Sequence, residues 1–196
     1  MKRLFDVFSS GLGLLLLSPI FLIMAVWIKL DSKGPVFYRQ IRVGKKGKNF
    51  EILKFRSMRV GSDKDGLITI GGRDPRVTKS GYYIRKYKLD EFPQLINVFK
   101  GDMSIVGPRP EVRKYVDLYT EEQLRVLTVK PGITDIASVK YRNENDLLEK
   151  SEDPNKLYVD EIMPDKLKYN LEYIDKQTFL FDMKLIFTTF REILFK

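Results

Sequence analysis

The chain has 196 residues and a formal net charge of +9, with no cysteine and no histidine. Those absences exclude disulfides, thiolate zinc sites, cysteine nucleophiles, Ser-His triads and histidine general bases. Chemistry therefore falls to Asp, Glu, Lys, Ser, Thr or Tyr, and a metal must accept oxygen ligands, which points to magnesium or manganese.

The length suits one domain with a sizeable core. The positive charge fits nucleic acid, an anionic membrane surface or a polyphosphate substrate, and its placement narrows the choice. Lys2, Arg3, Lys29 and Lys33 bracket an apolar stretch, and Lys45, Lys46, Lys48, Lys54 and Arg56 follow it. No reading helix or aromatic RNA platform accompanies them, so nucleic acid is not an expected partner.

Leu12 to Ile28 is almost wholly apolar, a run of about 17 residues and marginal for crossing a hydrocarbon core roughly 30 Å thick. Ser18-Pro19 interrupts it, so a kink or break into two half-helices is expected, with the Ser18 hydroxyl satisfying a freed carbonyl. Basic residues at both ends favour holding both on the cytoplasmic side. A cleavable signal peptide is the least supported reading, and physics alone leaves re-entry and a straight span open.

Val36 to Val43 and Asn49 to Arg56 read as a hairpin with a basic Gly44-Lys45-Lys46-Gly47 tip. Lys45 and Lys46 fit a solvated tip, whereas Lys54 and Arg56 lie inside the second strand, beside the expected chemistry. Gly61 to Ser80 reads as a mobile loop. Helix is expected at Tyr82 to Lys88 and again after Leu89-Asp90-Glu91-Phe92-Pro93. In the second helix Phe92, Leu95, Ile96 and Phe99 form the expected buried face, with Asp90, Gln94 and Asn97 on another. Pro93 belongs in the first turn, which sets Asp90 at the N-cap and Glu91 just inside, where unpaired amides favour carboxylates and phosphate. Acidic residues there are also ordinary caps.

Gly107-Pro108-Arg109-Pro110 is a stiffened turn suited to presenting a guanidinium to phosphate. Pro131-Gly132-Ile133-Thr134 marks another turn, and Asn143 to Pro154 a solvated connection. In Thr178 to Lys196, Leu180, Met183, Phe187, Phe190 and Leu194 form a stripe opposite Asp182, Lys184, Arg191 and Glu192. Core packing is the default for that stripe, and a helix in the membrane interface is the alternative.

In order and spacing these motifs resemble the bacterial sugar transferase family, the small monotopic phosphoglycosyl transferases. The resemblance runs nearly end to end: Lys2-Arg3 with Asp6, Ser18-Pro19, Lys54-Phe55-Arg56-Ser57-Met58, Asp74-Pro75-Arg76, Arg85, Leu89 to Leu95 with Asn97, Gly101-Asp102-Met103-Ser104, Val106 to Pro110, and Lys130 to Thr134. It implies an α/β, mostly helical fold in one domain, residues 1–196. Residues 1–33 would be a re-entrant helix-break-helix around Ser18 and Pro19, and 34–196 a catalytic part with a small hairpin and amphipathic interfacial helices. It implies a bacterial cell-membrane enzyme on the cytoplasmic face that moves a phosphosugar from a UDP-sugar to a polyprenol phosphate. Asp90 would be the covalent nucleophile, with UMP leaving. Asp90 and Glu91 would hold Mg2+ or Mn2+, and Lys54, Arg85, Arg109 and Arg142 would form the cationic shell.

After Thr134 the family's glycine and Gln-Val pair are replaced by Asp135 to Tyr141 before Arg142-Asn143, so no donor identity is carried over. The chain resembles the minimal catalytic form, without the extra N-terminal membrane domain of longer members. The competing reading is a non-enzymatic membrane-binding module in which the acidic pair merely caps a helix. The sequence carries nothing on oligomeric state.

Overall fold

The structure, a computed structural model, describes residues 1–66 and 74–194, with the backbone alone for 64, 65, 193 and 194. It is mostly helical, with a small two-stranded sheet and a long apolar helix at its N-terminus. That helix, α1 (Lys2–Asp31), is the one helix among the described residues long and apolar enough to cross a membrane. The expected break into two half-helices is not found: helix runs through Ser18-Pro19. Pro19 withholds the amide that Leu15 would have accepted from, and the Ser18 hydroxyl donates to the Leu15 carbonyl at 2.7 Å instead.

Next comes the hairpin, β1 (Phe37–Val43) and β2 (Asn49–Phe55), antiparallel from Phe37↔Phe55 to Val43↔Asn49. The stretch expected to be a mobile loop is partly ordered, with a 3-10 turn at Ser62–Asp65 and a bridge between Met58 and Val77. Its residues 67–73 lie outside the described residues. Helix α2 (Lys79–Lys86) starts earlier than expected because Thr78 caps it, accepting from the Gly81 amide at 3.0 Å.

Helix α3 (Gln94–Lys100) is turned over relative to expectation. Gln94, Asn97 and Val98 are buried, while Phe99 is 49 % exposed. The polar face goes inside because it is bonded there: the Asn97 amide accepts from Leu53 N at 3.0 Å and donates to Glu51 O at 2.7 Å, closing the free edge of β2. Leu95 and Phe99 instead lie over Gly13 and Gly11 of α1.

A short strand, β3 (Ser104–Val106), pairs in parallel with β4 (Gly132–Thr134), where the sequence suggested only a turn. Around them α4 (Arg113–Val116), α5 (Ile136–Lys140), α6 (Glu144–Glu149), α7 (Pro154–Leu157) and α8 (Met163–Lys176) build a helical core. That core contains Tyr115, Val126, Leu148, Tyr158, Ile162 and Leu167. In the last helix, α9 (Phe179–Leu194), Asp182 and Leu185 face inward while Leu180 and Phe187 are 80 % and 74 % exposed. Core packing therefore does not explain the expected stripe. The side chain of Leu194 lies outside the described residues.

Both ends of α1 are fastened to this one body. Lys2 Nζ donates to Asp182 at 2.6 Å and to Tyr173 OH and Val106 O at 2.9 Å each. Arg3 donates to the carbonyls of Val98 (2.6 Å) and Phe99 (2.9 Å) in the last turn of α3. Asp6 accepts from Ser104 Oγ at 2.9 Å. At the other end Arg56 donates to the carbonyls of Ser32 (2.8 Å) and Lys33 (2.6 Å), and Asp31 accepts from Ser80 N at 2.9 Å. Arg56 is thus a buried cap on α1, not a group beside the expected chemistry. Lys2 and Arg3 are internal ties rather than free flanking cations.

Gly107 and Gly132 let the chain cross itself where the Arg109 turn begins. A Cβ on Gly132 would sit 2.1 Å from Gly107 N. Gly132→Ala is therefore expected to destabilise the protein by roughly 2–3 kcal/mol, as overpacking against backbone does. Denaturant midpoints against the parent check this.

Candidate active site

Three segments meet at one point. Strand β2 brings Lys54, the 3-10 turn Leu89–Glu91 brings Asp90 and Glu91, and the turn after β3 brings Arg109. The acidic pair lies a turn ahead of α3, whose N-cap is Pro93, so neither carboxylate caps that helix as the sequence suggested. The turn opens at Lys88, in the left-handed region at φ 56°.

Glu91 is clamped. Arg109 Nη1 donates to Oε2 at 3.1 Å, Arg109 Nη2 donates to Oε1, and Lys54 Nζ reaches Oε1 at 3.2 Å. The fork of a guanidinium matches a carboxylate in this way. Side-chain exposures of 19 %, 20 % and 30 % for Lys54, Glu91 and Arg109 leave the cluster mostly dry. Burial alone would raise the Glu91 pKa, but the charges of Arg109 and then Lys54 outweigh it and hold the carboxyl well below its usual range. Glu91 raises the Arg109 pKa in return. Burial pulls the Lys54 ammonium down, against the pull of Glu91.

Asp90 is different. It is buried, and among the described residues no side chain or backbone amide hydrogen-bonds its carboxylate. Burial, then the charge of Glu91, raise its pKa, while Lys54, Arg85 and Arg109 pull it down, and the upward shift wins. Two neighbouring carboxylates thus have opposite characters: one locked and ionised, one desolvated and uncommitted.

The structure brings Asp90, Glu91, Lys54 and Arg109 together, with Arg85 acting on Asp90 through its charge. Arg142 makes other contacts: its guanidinium donates to the Glu192 carbonyl of α9 and lies 3.9 Å from that residue's carboxylate. Ser18 and Pro19 are exposed on α1, apart from this cluster. Sequence reasoning missed Asp135 as a site residue. It is fully buried, accepts from Arg109 N at 2.8 Å and caps α5 through Ser138 N. The signal was there, since Asp before Ile136-Ala137-Ser138 is a helix-start pattern.

No group of three or more acidic side chains is placed to hold a metal ion among the described residues. A divalent ion here would take Asp90 and Glu91 and fill its shell with substrate phosphate oxygens and water, the usual habit of magnesium. The uncommitted Asp90 carboxylate fits that donor set.

Two substitutions are expected to move stability in opposite directions. Asp90→Asn removes a desolvated charge and should stabilise the metal-free protein by about 1 kcal/mol at pH 7. Because the folded pKa lies above 3.8, that gain should shrink as pH falls through it and vanish below 3.8, where the acid is neutral in both states. Glu91→Gln strands two cations and should cost roughly 2–3 kcal/mol. That loss should close in acid, because the depressed Glu91 pKa contributes stability above 4.5 and loses it as pH falls through the folded value. Denaturant melts of both variants between pH 3 and 7 check this.

The sequence profile described as "Bacterial sugar transferase" matches residues 1–196. A Klebsiella pneumoniae protein, "UDP-glucose:undecaprenyl-phosphate glucose-1-phosphate transferase", is 42 % identical over 193 residues, covering 96 % of this chain and 39 % of its own length. An Aeromonas hydrophila protein, "UDP-N-acetylgalactosamine-undecaprenyl-phosphate N-acetylgalactosaminephosphotransferase", is 38 % identical over 196 residues, covering 98 % and 43 %. "Uncharacterized sugar transferase EpsL" of Bacillus subtilis (strain 168) is 38 % identical over 194 residues, covering 99 % and 87 %. The chain thus spans about two fifths of the first two relatives (39 % and 43 %) and most of the third. With the profile matched along its whole length, the chain belongs to the bacterial sugar transferase family.

Proposed function

We propose that the protein transfers a phosphosugar from a UDP-sugar to a polyprenol phosphate, through a covalent intermediate on Asp90, at the cytoplasmic face of the bacterial cell membrane. The observation that carries this reading is the contrast inside the acidic pair. Glu91 is committed to Arg109 and Lys54, and Asp90 is left uncommitted among cations. The relatives whose names specify glucose 1-phosphate or N-acetylgalactosamine phosphate transfer to undecaprenyl phosphate support the reaction class.

In the first step an Asp90 carboxylate oxygen attacks the donor's β-phosphorus. The bond from that phosphorus to the oxygen bridging the α- and β-phosphates breaks, and UMP departs with the bridging oxygen. Asp90 then carries the phosphosugar as an acyl phosphate. In the second step a phosphate oxygen of the acceptor lipid attacks the same phosphorus, the bond to Asp90 breaks, and the carboxylate is regenerated with a polyprenol diphosphosugar formed. Arg109 and Lys54 neutralise charge that grows on the phosphoryl oxygens, and Arg85 adds a third cation beside Asp90. A magnesium or manganese ion, when bound by Asp90 and Glu91, would supply further charge neutralisation at phosphate. Desolvation keeps the nucleophile out of competition with water.

Membrane placement is supported by α1 and α9. Leu4, Phe8, Leu15, Leu22, Ile23 and Leu30 form an exposed apolar stripe along α1, and Phe5 packs edge-on against Phe179 at the start of α9, whose Leu180 and Phe187 are exposed as well. The ties from Lys2, Arg3 and Asp6 at one end, and Arg56 and Asp31 at the other, hold both ends of α1 on one body. A straight span would carry those ends to opposite sides of the bilayer, so the ties support a helix with both ends held on the same side.

Purified protein with magnesium and a panel of UDP-sugars is expected to release UMP from at least one donor. Chelation should abolish the release, and magnesium or manganese should restore it. Asp90→Asn should lower the rate at least about a thousandfold. Equal release by the Asn variant contradicts the role of Asp90, and vesicle binding without turnover of any donor favours the non-enzymatic membrane module.

A further inference from the structure

The turn that carries Arg109 is held at every residue from 107 to 111. Gly107 N donates to Thr134 O at 3.0 Å, Pro108 O accepts from Gly132 N at 3.0 Å, and Arg109 N donates to Asp135 at 2.8 Å. Pro110 O accepts from Arg42 Nη1 at 3.0 Å, and Glu111 O accepts from Val43 N at 2.8 Å. The first three bonds come from β4 and the residue after it, the last two from β1.

A further tie comes from another part of the molecule. Glu111 Oε1 accepts from Tyr158 OH at 2.6 Å, while Oε2 accepts from Val112 N at 3.2 Å and faces Arg42 at 3.5 Å. Tyr158 is buried and opens a π-helical turn, Tyr158–Ile162, between α7 and α8. Such widened turns recur at functional sites because they re-aim one side chain out of helical register. The Tyr158 ring is wedged against Tyr115 at 4.9 Å between centroids, with Lys166 Nζ 5.5 Å from its own centroid. Its hydroxyl is therefore fixed by the packing of the ring. The tyrosine–glutamate bond connects the C-terminal helical core to the turn that presents the arginine.

We propose that Glu111 and Tyr158 are positioning residues for Arg109, a strut that keeps the guanidinium aimed at the donor's diphosphate while it exchanges Glu91 for phosphate. The inference rests on the reading of Arg109 as a donor-phosphate ligand. An arginine that must share itself between a carboxylate and a substrate gains from a backbone that does not follow the side chain, since small misplacements of a charge-stabilising group are costly. Tyr158→Phe deletes one oxygen and leaves the ring packing in place, so it tests the strut without opening a cavity.

The experiment is a double-mutant cycle between Tyr158→Phe and Arg109→Lys in the full chain. It is read as UDP affinity by calorimetry and as kcat/KM for UMP release, with thermal midpoints alongside. Tyr158→Phe is expected to weaken UDP binding and lower kcat/KM roughly five- to tenfold, the effect of one buried hydrogen bond. In the Arg109→Lys background its further effect should be under about twofold, because the fork it aims is gone. Equal losses from Tyr158→Phe in both backgrounds, or no loss in the parent background, overturn the proposal. A parent that binds UDP but releases no UMP from any donor defeats the transferase reading and leaves the strut to the UDP cycle. A parent that binds no UDP overturns both.

Discussion

The Arg109–Glu91–Lys54 cluster is the constraint on which the rest of the molecule depends. It joins a strand, a 3-10 turn and a proline-stiffened turn at one mostly dry point, and its charge balance is what leaves Asp90 uncommitted. Fully buried ion pairs add little to stability when isolated, because desolvation cancels most of the Coulomb gain. Their use here is positional. The carboxylate that is spent on the cations frees the one beside it, and the proposed chemistry needs one of each kind.

The inward polar faces of α3 and α9 share a cause. In α3 and α9 the polar residues Asn97 and Asp182 have defined internal partners, so burying them incurs no unsatisfied group. The apolar residues Phe99, Leu180 and Phe187 are then turned outward, beside the stripe of α1. In water alone that arrangement exposes too much apolar surface. Against lipid, as the proposed function requires, it is the stable one, and in that reading the ties at both ends of α1 would keep the site close to the interface where a long-chain lipid presents its phosphate.

Much of this was legible in the sequence. The hairpin follows from β-branched and aromatic residues around Gly44-Lys45-Lys46-Gly47, and the observed strands differ by a residue at each outer end. Ser18 was expected to rescue a carbonyl at Pro19, and it does; the broken helix was the error, because that rescue is enough to let the helix continue. Lys54, Asp90, Glu91 and Arg109 were singled out by motif and are neighbours in space. Arg56 was not separable from Lys54 by sequence, since a positive charge inside a motif looks the same whether it meets a carboxylate or a helix-end carbonyl. The face of α3 was misread because hydrophobic periodicity assumes water outside; for α9 the sequence left core packing and an interfacial helix both open, since Lys2, the partner of Asp182, lies far away in the chain. The Asp135 cap was legible as a helix start, but its bond to Arg109, like that between Tyr158 and Glu111, is long-range and encoded in no local pattern.

The central claim is that Asp90 becomes bonded to phosphorus during turnover. Mass spectrometry of protein quenched after incubation with a competent UDP-sugar and no lipid acceptor tests it most directly. The expected result is a mass increase equal to one phosphosugar, localised to the peptide containing Asp90, absent in Asp90→Asn and discharged when polyprenol phosphate is added. UMP release with no adduct on the trapped protein, or an adduct on a different residue, would contradict it.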